Sequence, residues 1–177
     1  GLGDVYKRQT GCWSTAEMER VNAICRHKLW RESVDEIARL EQDRAFCRHD
    51  RIHFLDVARL AYIENLERGL GVDKELIYAA ALLHDIGRHL QYTQNIPHDE
   101  AGAQLAEIIM ADCGFSPAER AEVTQAILQH RGDGDRSRDG LAALLYRADK
   151  ASRACLFCTA EPECNWSREK KNMTLQA

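Results

Sequence analysis

The chain has 177 residues, with 24 basic and 28 acidic side chains, a net charge of -4 and 45% hydrophobic residues. That length fits one domain with a sizeable core, and the charge balance gives no support for a general nucleic-acid binder, leaving open only a local basic patch. No run of eighteen apolar residues occurs, so no membrane span is expected, and no signal peptide is recognised. Seven cysteines, an odd number in a domain that needs no staples, point to a reducing cytoplasm rather than to disulfides. Three prolines and an abundance of Ala, Leu, Glu and Arg favour helix.

In chain order, Gly1 resembles the scar of a removed tag. Asp4 to Gln9 resembles a translated sequencing-library adapter, so residues 1 to 17 are expected to be an adapter-derived tail, with a natural start near Met18. Ser14 or Thr15 is a candidate cap for a first helix through Met18, Val21, Ile24 and Cys25. Residues 31 to 41 repeat the periodicity with Val34, Ile37 and Leu40. A third helix is expected over about 52 to 67, ended by Gly69 and Gly71. Asp73 then caps a helix that is apolar on every side up to Leu83, which places it in the centre of a bundle. Gly87 permits a turn, residues 88 to 97 read as a loop, and Pro97 precedes a helix from His98 to the Cys113-Gly114 stop. Ser116-Pro117-Ala118-Glu119 is a capping box with proline at the first helical position. The charged, glycine-rich residues 131 to 139 read as a mobile loop, and a last helix is expected over about 140 to 154. No strand pattern occurs, so the fold class is all-α. A single helical bundle over 18 to 155 is expected, followed by a cysteine-containing extension over 156 to 177.

Six polar residues fall on the inward faces of these helices. His53 aligns with Val57, His84 with Ile77 and Ala81, and His98 with Gly102 and Leu105, while His130 aligns with Val123 and Ile127, and Asp149 with Leu145. Asp85 adjoins His84. A single buried histidine is usually a hydrogen-bonded core residue. Five faces that all point inward, however, bring their polar members together, and buried imidazoles and carboxylates must be paired or bind metal. Mixed nitrogen and oxygen ligation suits Fe, Mn, Zn, Ni or Co better than Ca.

The run Leu82-Leu83-His84-Asp85-Ile86-Gly87-Arg88, with His53 upstream and Asp149 downstream, resembles the HD-domain superfamily of metal-dependent phosphohydrolases over about residues 45 to 155. Uncharacterised bacterial members look most alike. The resemblance implies an HD-type helical bundle with a metal site at its centre. His53, His84, Asp85 and Asp149 would hold one divalent ion, His98 and His130 would add a second, and Asp85 would bridge the two. Mg is admitted beside the transition metals. Paired cations of this kind clamp a phosphoryl group and lower the pKa of an attacking water. Arg88 is the first candidate for the charged oxygens, and Arg44 and Lys150 follow, with ordinary surface charge as the alternative. His49 and His89 are candidates for a general acid or a phosphate contact at the rim, or are loop histidines. Asp50, Asp56 and Asp99 either orient imidazoles or cap helices. The loop after His130 has Arg131 and no Gly-Tyr-Pro segment, a departure that counts against cyclic di-GMP hydrolysis.

Cys155, Cys158 and Cys164 form C-x2-C-x5-C, spaced for structural Zn or an Fe-S group if a fourth ligand joins, or serving as buried thiols or a redox pair. Trp166 is expected to pack this tail onto the bundle. The leading expectation is hydrolysis of a small phosphate ester, a nucleotide or related metabolite, without long nucleic acid or membrane as partner. The alternatives are a mixed-valent diiron oxygenase of the inositol-oxygenase type, whose ligand set this set of four histidines and two aspartates resembles, and a non-catalytic nucleotide-binding module. The outer faces of the first two helices offer a surface for a homodimer.

Overall fold

The computed structural model describes residues 18 to 131 and 139 to 175. The adapter-like tail, the candidate caps Ser14 and Thr15, and residues 132 to 138 of the glycine-rich loop lie outside these. The described residues form α1 (Glu19–Arg26), α2 (Lys28–Leu40), α3 (Arg51–Arg68), α4 (Lys74–Leu83), α5 (Arg88–Gln94), α6 (His98–Asp112), α7 (Pro117–Gln129) and α8 (Leu141–Ala151). Three short 3-10 turns follow, at Cys155–Phe157, Glu161–Glu163 and Arg168–Lys170. No strand occurs among the described residues, and no helix there is long and apolar enough to cross a membrane.

The hydrophobic helix α4 is the hub. Leu76, Ile77, Ala79, Ala80, Ala81, Leu82 and Leu83 are all buried, and α4 packs against α1, α3, α7 and α8. Asp73 accepts from the Leu76 N–H and starts it, as the sequence predicts. From α2, the Trp30 indole donates to the Leu82 carbonyl at 2.9 Å, which fixes the exit of α4 just before His84. Arg20 ties α1 to the bundle by ion pairs to Glu75 of α4 and Glu119 of α7. The Ser116–Glu119 capping box opens α7 as expected.

The region after α4 differs from the sequence expectation. Residues 88 to 94 form a helix rather than a loop. This helix has seven residues and buries none of them fully, so no apolar stripe marks it. Gly87 also acts otherwise than expected. Its backbone is right-handed, at φ -73° and ψ -5°, which any residue can adopt. What requires glycine is space: a Cβ there would lie 2.3 Å from the His98 carbonyl oxygen and 2.4 Å from the Gly102 nitrogen. Gly87 and Gly102 thus let α6 close onto the four-residue turn that carries His84 and Asp85.

The C-terminal residues pack back on α8. The Asn172 amide donates to the carbonyls of Lys150, Ala151 and Arg153, at and just beyond the end of α8. The Lys171 ammonium donates to the carbonyl and side chain of Glu161.

Candidate metal centre

Asp85 is the focus of the site. It sits on the turn after α4 and is 1% exposed. Histidines from several other elements turn Nε2 toward its two oxygens, and the two oxygens face different sets. His84 Nε2 lies 3.2 Å from Oδ2, His49 Nε2 3.7 Å and His53 Nε2 3.8 Å. His98 Nε2 lies 3.3 Å from Oδ1 and His130 Nε2 3.7 Å. Asp149, reaching in from α8, places Oδ1 3.5 Å from His53 Nε2 and 3.8 Å from His84 Nε2. The ligand atoms of His53, His84, Asp85 and Asp149 all lie within 4.8 Å of one another, and so do those of Asp85, His98 and His130. The six residues singled out by the helical faces are therefore one buried cluster in two groups that share Asp85.

Each ring is held from behind by its other nitrogen. His84 Nδ1 bonds the Ala81 carbonyl at 2.8 Å, and His130 Nδ1 the Ile127 carbonyl at 2.5 Å. Both are contacts one helical turn back along the chain, so the helix end itself aims the ring. His98 Nδ1 bonds the Gln91 side-chain oxygen at 2.5 Å, and His53 Nδ1 meets the Ser152 hydroxyl at 3.2 Å. His49 Nδ1 bonds Glu41 Oε1 at 2.6 Å. Anchoring one imidazole nitrogen in this way fixes the ring and leaves the other for a central cation.

The chemistry of the cluster fits a cation. His53 Nε2, His84 Nε2 and both Asp85 oxygens are buried without a hydrogen-bond partner, and such groups are rarely left so. Burial would lower the His84 pKa, but Asp85 and Asp149 on either side push it up to about 9. Burial brings His53 down to about 4 and His98 to about 3, which keeps these rings neutral and able to donate a lone pair. Asp85 stays ionised: its burial opposes charge, but His84 and Arg88 hold it well below the usual carboxylate range. Asp149 stays ionised for the like reason, through His84 and Arg153.

The remaining candidates divide. The half-buried Arg88 places Nε 2.9 Å from the buried Asp85 Oδ1, without hydrogen-bond alignment. The Lys150 ammonium bonds Asp149 Oδ2 at 2.7 Å and is half-exposed at the rim. His49 lies outside both ligand groups but turns Nε2 toward Asp85 Oδ2, and it is 3% exposed. His89 instead bonds the Ile86 carbonyl and lines a separate cavity with Leu29, Ser33, Glu36 and Leu105. Arg44 reaches the Cys47 carbonyl from an exposed position. Asp50 caps α3 through the His53 N–H, Asp99 pairs with Arg131, and Asp56 lies near Arg59, so none of the three orients an imidazole in this structure.

Cys155, Cys158 and Cys164 are not brought into a ligand set: the groupings of metal-ligand atoms among the described residues contain His and Asp alone. Cys155 is buried in the turn after α8, and Cys158 and Cys164 are half-buried.

Sequence reasoning missed Arg153, Glu41, Ser152 and Gln91. Arg153 donates to Asp149 at 2.9 Å, and its i, i+4 spacing from Asp149 was a readable signal. Glu41 stands eight residues before His49 in an irregular connection, where no periodicity links them.

Comparison with known proteins agrees with this geometry. The HD domain family matches residues 51 to 154. An uncharacterized protein of Clostridium beijerinckii is 41% identical over 158 residues, covering 89% of this chain and 99% of that protein. Ribonuclease Y of Enterococcus faecalis is 30% identical over 147 residues, which are 83% of this chain and 26% of that enzyme, so the chain spans about a quarter of its length. The crystal structure of a predicted HD superfamily hydrolase from an uncultured Thermotogales bacterium superposes with a TM-score of 0.56 at 26% identity, covering 81% of each chain. A helical bundle that focuses histidines on a His-Asp turn is the HD architecture, and the chain belongs to the HD-domain family.

Proposed function

We propose that the chain is a metal-dependent phosphohydrolase acting on a small phosphate ester, a nucleotide or related metabolite. One observation carries this reading: both oxygens of a fully buried aspartate lack hydrogen bonds while imidazole nitrogens crowd each of them. His53, His84, Asp85 and Asp149 would hold one divalent ion, and His98 and His130, with Asp85 shared, a second. Bound divalent ions supply Lewis-acid polarisation of a phosphoryl oxygen and a water of lowered pKa.

The protein's own residues do the rest. Neutral His53 and His98 give lone pairs without adding positive charge. The Asp85 and Asp149 carboxylates balance the cations. The half-buried Arg88 and the buried Arg153, paired with these carboxylates, carry guanidinium groups suited to phosphate oxygens, and Lys150 is more exposed beside them. The acidic net charge favours a small ester over a long nucleic acid. The likeness to ribonuclease Y is partial, and it places short phosphodiesters in the test panel.

The test has two readouts on protein purified without chelator. Elemental analysis is expected to find transition metal that is absent from Asp85→Ala. A panel of nucleotides, sugar phosphates and short oligoribonucleotides, assayed with Mn, Co, Ni, Mg or Fe, is expected to release phosphate or a nucleotide product. Asp85→Ala should lower that release at least 100-fold, on the scale of losing a central electrostatic group. Two irons per chain with oxygen uptake and no hydrolysis would replace this reading with an oxygenase, and retained ligand without product would replace it with a binding module.

A further inference from the structure

Glu41 has no role in the ligand set, yet it is 3% exposed and three donors converge on its carboxylate. The His49 backbone N–H donates to Oε2 at 2.7 Å, His49 Nδ1 bonds Oε1 at 2.6 Å, and the Tyr92 hydroxyl donates to Oε1 at 2.5 Å. Helix stability does not account for the residue. Glu41 is the C-cap of α2, where the helix dipole disfavours a negative charge. Burial alone would also raise its pKa, but the bonds from His49 and Tyr92 bring it down to about 2. The carboxylate accepts from the His49 N–H and the Tyr92 hydroxyl, so it is the acceptor toward His49 Nδ1 as well, and that nitrogen carries the proton.

His49 repeats the arrangement of the four candidate ligand imidazoles, with Nδ1 anchored and Nε2 turned to Asp85. It sits edge-on to His53, with ring centroids 5.5 Å apart. It differs only in its anchor, which is a carboxylate rather than a carbonyl, amide or hydroxyl. We propose that Glu41 is a positioning residue of the metal centre, holding His49 in the Nδ1–H tautomer so that Nε2 faces Asp85 as a fifth imidazole nitrogen of the site. Tyr92 links the same carboxylate to α5, which begins at Arg88, so one buried group ties the α2 exit, the His49 segment and the arginine helix together. The proposal rests on the reading of the Asp85 cluster as a metal centre.

A double-mutant cycle tests it, with Mn²⁺ affinity measured by competition against a chelator. Glu41→Gln is expected to weaken Mn²⁺ binding roughly 10- to 100-fold, the usual cost of losing a ligand's anchor. In a His49→Ala background the same change is expected to alter affinity by less than about twofold, since the residue through which it acts is gone. Glu41→Asp keeps the charge but shortens the reach to Nδ1, and it replaces Glu41→Gln if that variant does not fold. Long-range proton–nitrogen NMR of the rings gives a readout that general destabilisation does not move: His49 should be a single Nδ1–H tautomer in the parent chain and a mixture in the Glu41 variant. Equal losses with and without His49, or an unchanged tautomer, would overturn the proposal while leaving the metal centre intact. No Mn²⁺ binding by the parent chain would overturn the metal-centre reading and this proposal with it.

Discussion

At the scale of single residues, the tightest constraint on the site is glycine at 87 rather than any charged group. The Asp85 carboxylate reaches its histidines only if α6 approaches the turn closely enough for His98 to enter the cluster, and Gly87 is what permits that approach. A Cβ at 87 meets backbone atoms at 2.3 and 2.4 Å, which cannot rotate away. At Gly102 the nearest atom is the His84 carbonyl oxygen at 3.3 Å, a contact relieved by a small shift. Gly87→Ala is therefore expected to destabilise the chain by about 3 kcal/mol, the upper part of the range for overpacking, and Gly102→Ala by about 1 kcal/mol. Urea unfolding of both variants checks the order; equal midpoints would show that the turn is not held by this contact. The sequence displayed the His-Asp-Ile-Gly run but not this reason for its glycine, because a steric limit set by a helix ten residues downstream leaves no local pattern.

At the scale of elements, what could be read from the sequence follows how each helix buries its surface. The continuous apolar run of α4 identified it as central, and seven of its residues are buried. Residues with a turn-based cap, Asp73 and Ser116, were legible for the same local reason. The short helix α5 was not, since it hides no face, and neither were the contacts of the C-terminal residues, which depend on where the chain returns. That return has a cost when cut. Asn172 bonds three carbonyls at and just past the end of α8, which carries Asp149 and runs into Ser152 and Arg153. Asn172→Ala is expected to lose about 1–2 kcal/mol, a few net hydrogen bonds less what water recovers. It should also weaken Mn²⁺ binding through Asp149. Ser116→Ala removes a cap of similar worth, about 1 kcal/mol, at the far end of α7 and should leave Mn²⁺ affinity unchanged. Thermal melts and chelator competition on the two variants separate the effects, and an affinity loss in both would deny the tail any specific hold on the site.

At the scale of the whole molecule, the cluster draws on α3, α6 and α8 and on the turns that follow α4 and α7, so that a cation held there would cross-link most of the bundle. The six inward polar residues were legible because helical periodicity aims each of them at the same interior. His49 and His89 were equivalent in the sequence and part only in three dimensions, one facing Asp85 and the other a separate cavity. This division gives the last prediction its control. A ligand that binds only the folded state stabilises it by about 2.7 kcal/mol when present at 100 times its dissociation constant. For a chain of this size that corresponds to a rise of about 5–10 °C in Tm. Chelation is expected to lower the Tm by that amount, and added Mn²⁺ to restore it. His84→Ala removes a nitrogen that faces both Asp85 and Asp149, so its Tm should respond to both treatments by clearly less than the parent's, keeping only what the Asp85, His98 and His130 group contributes. His89→Ala should respond as the parent chain does. Calorimetry under the two conditions decides the matter. A parent chain indifferent to chelator and to Mn²⁺ would mean that the buried carboxylates are balanced by His84, Arg88, Lys150 and Arg153 without a cation, and a His84→Ala variant that responds in full would confine the stabilising cation to the Asp85, His98 and His130 side of the cluster.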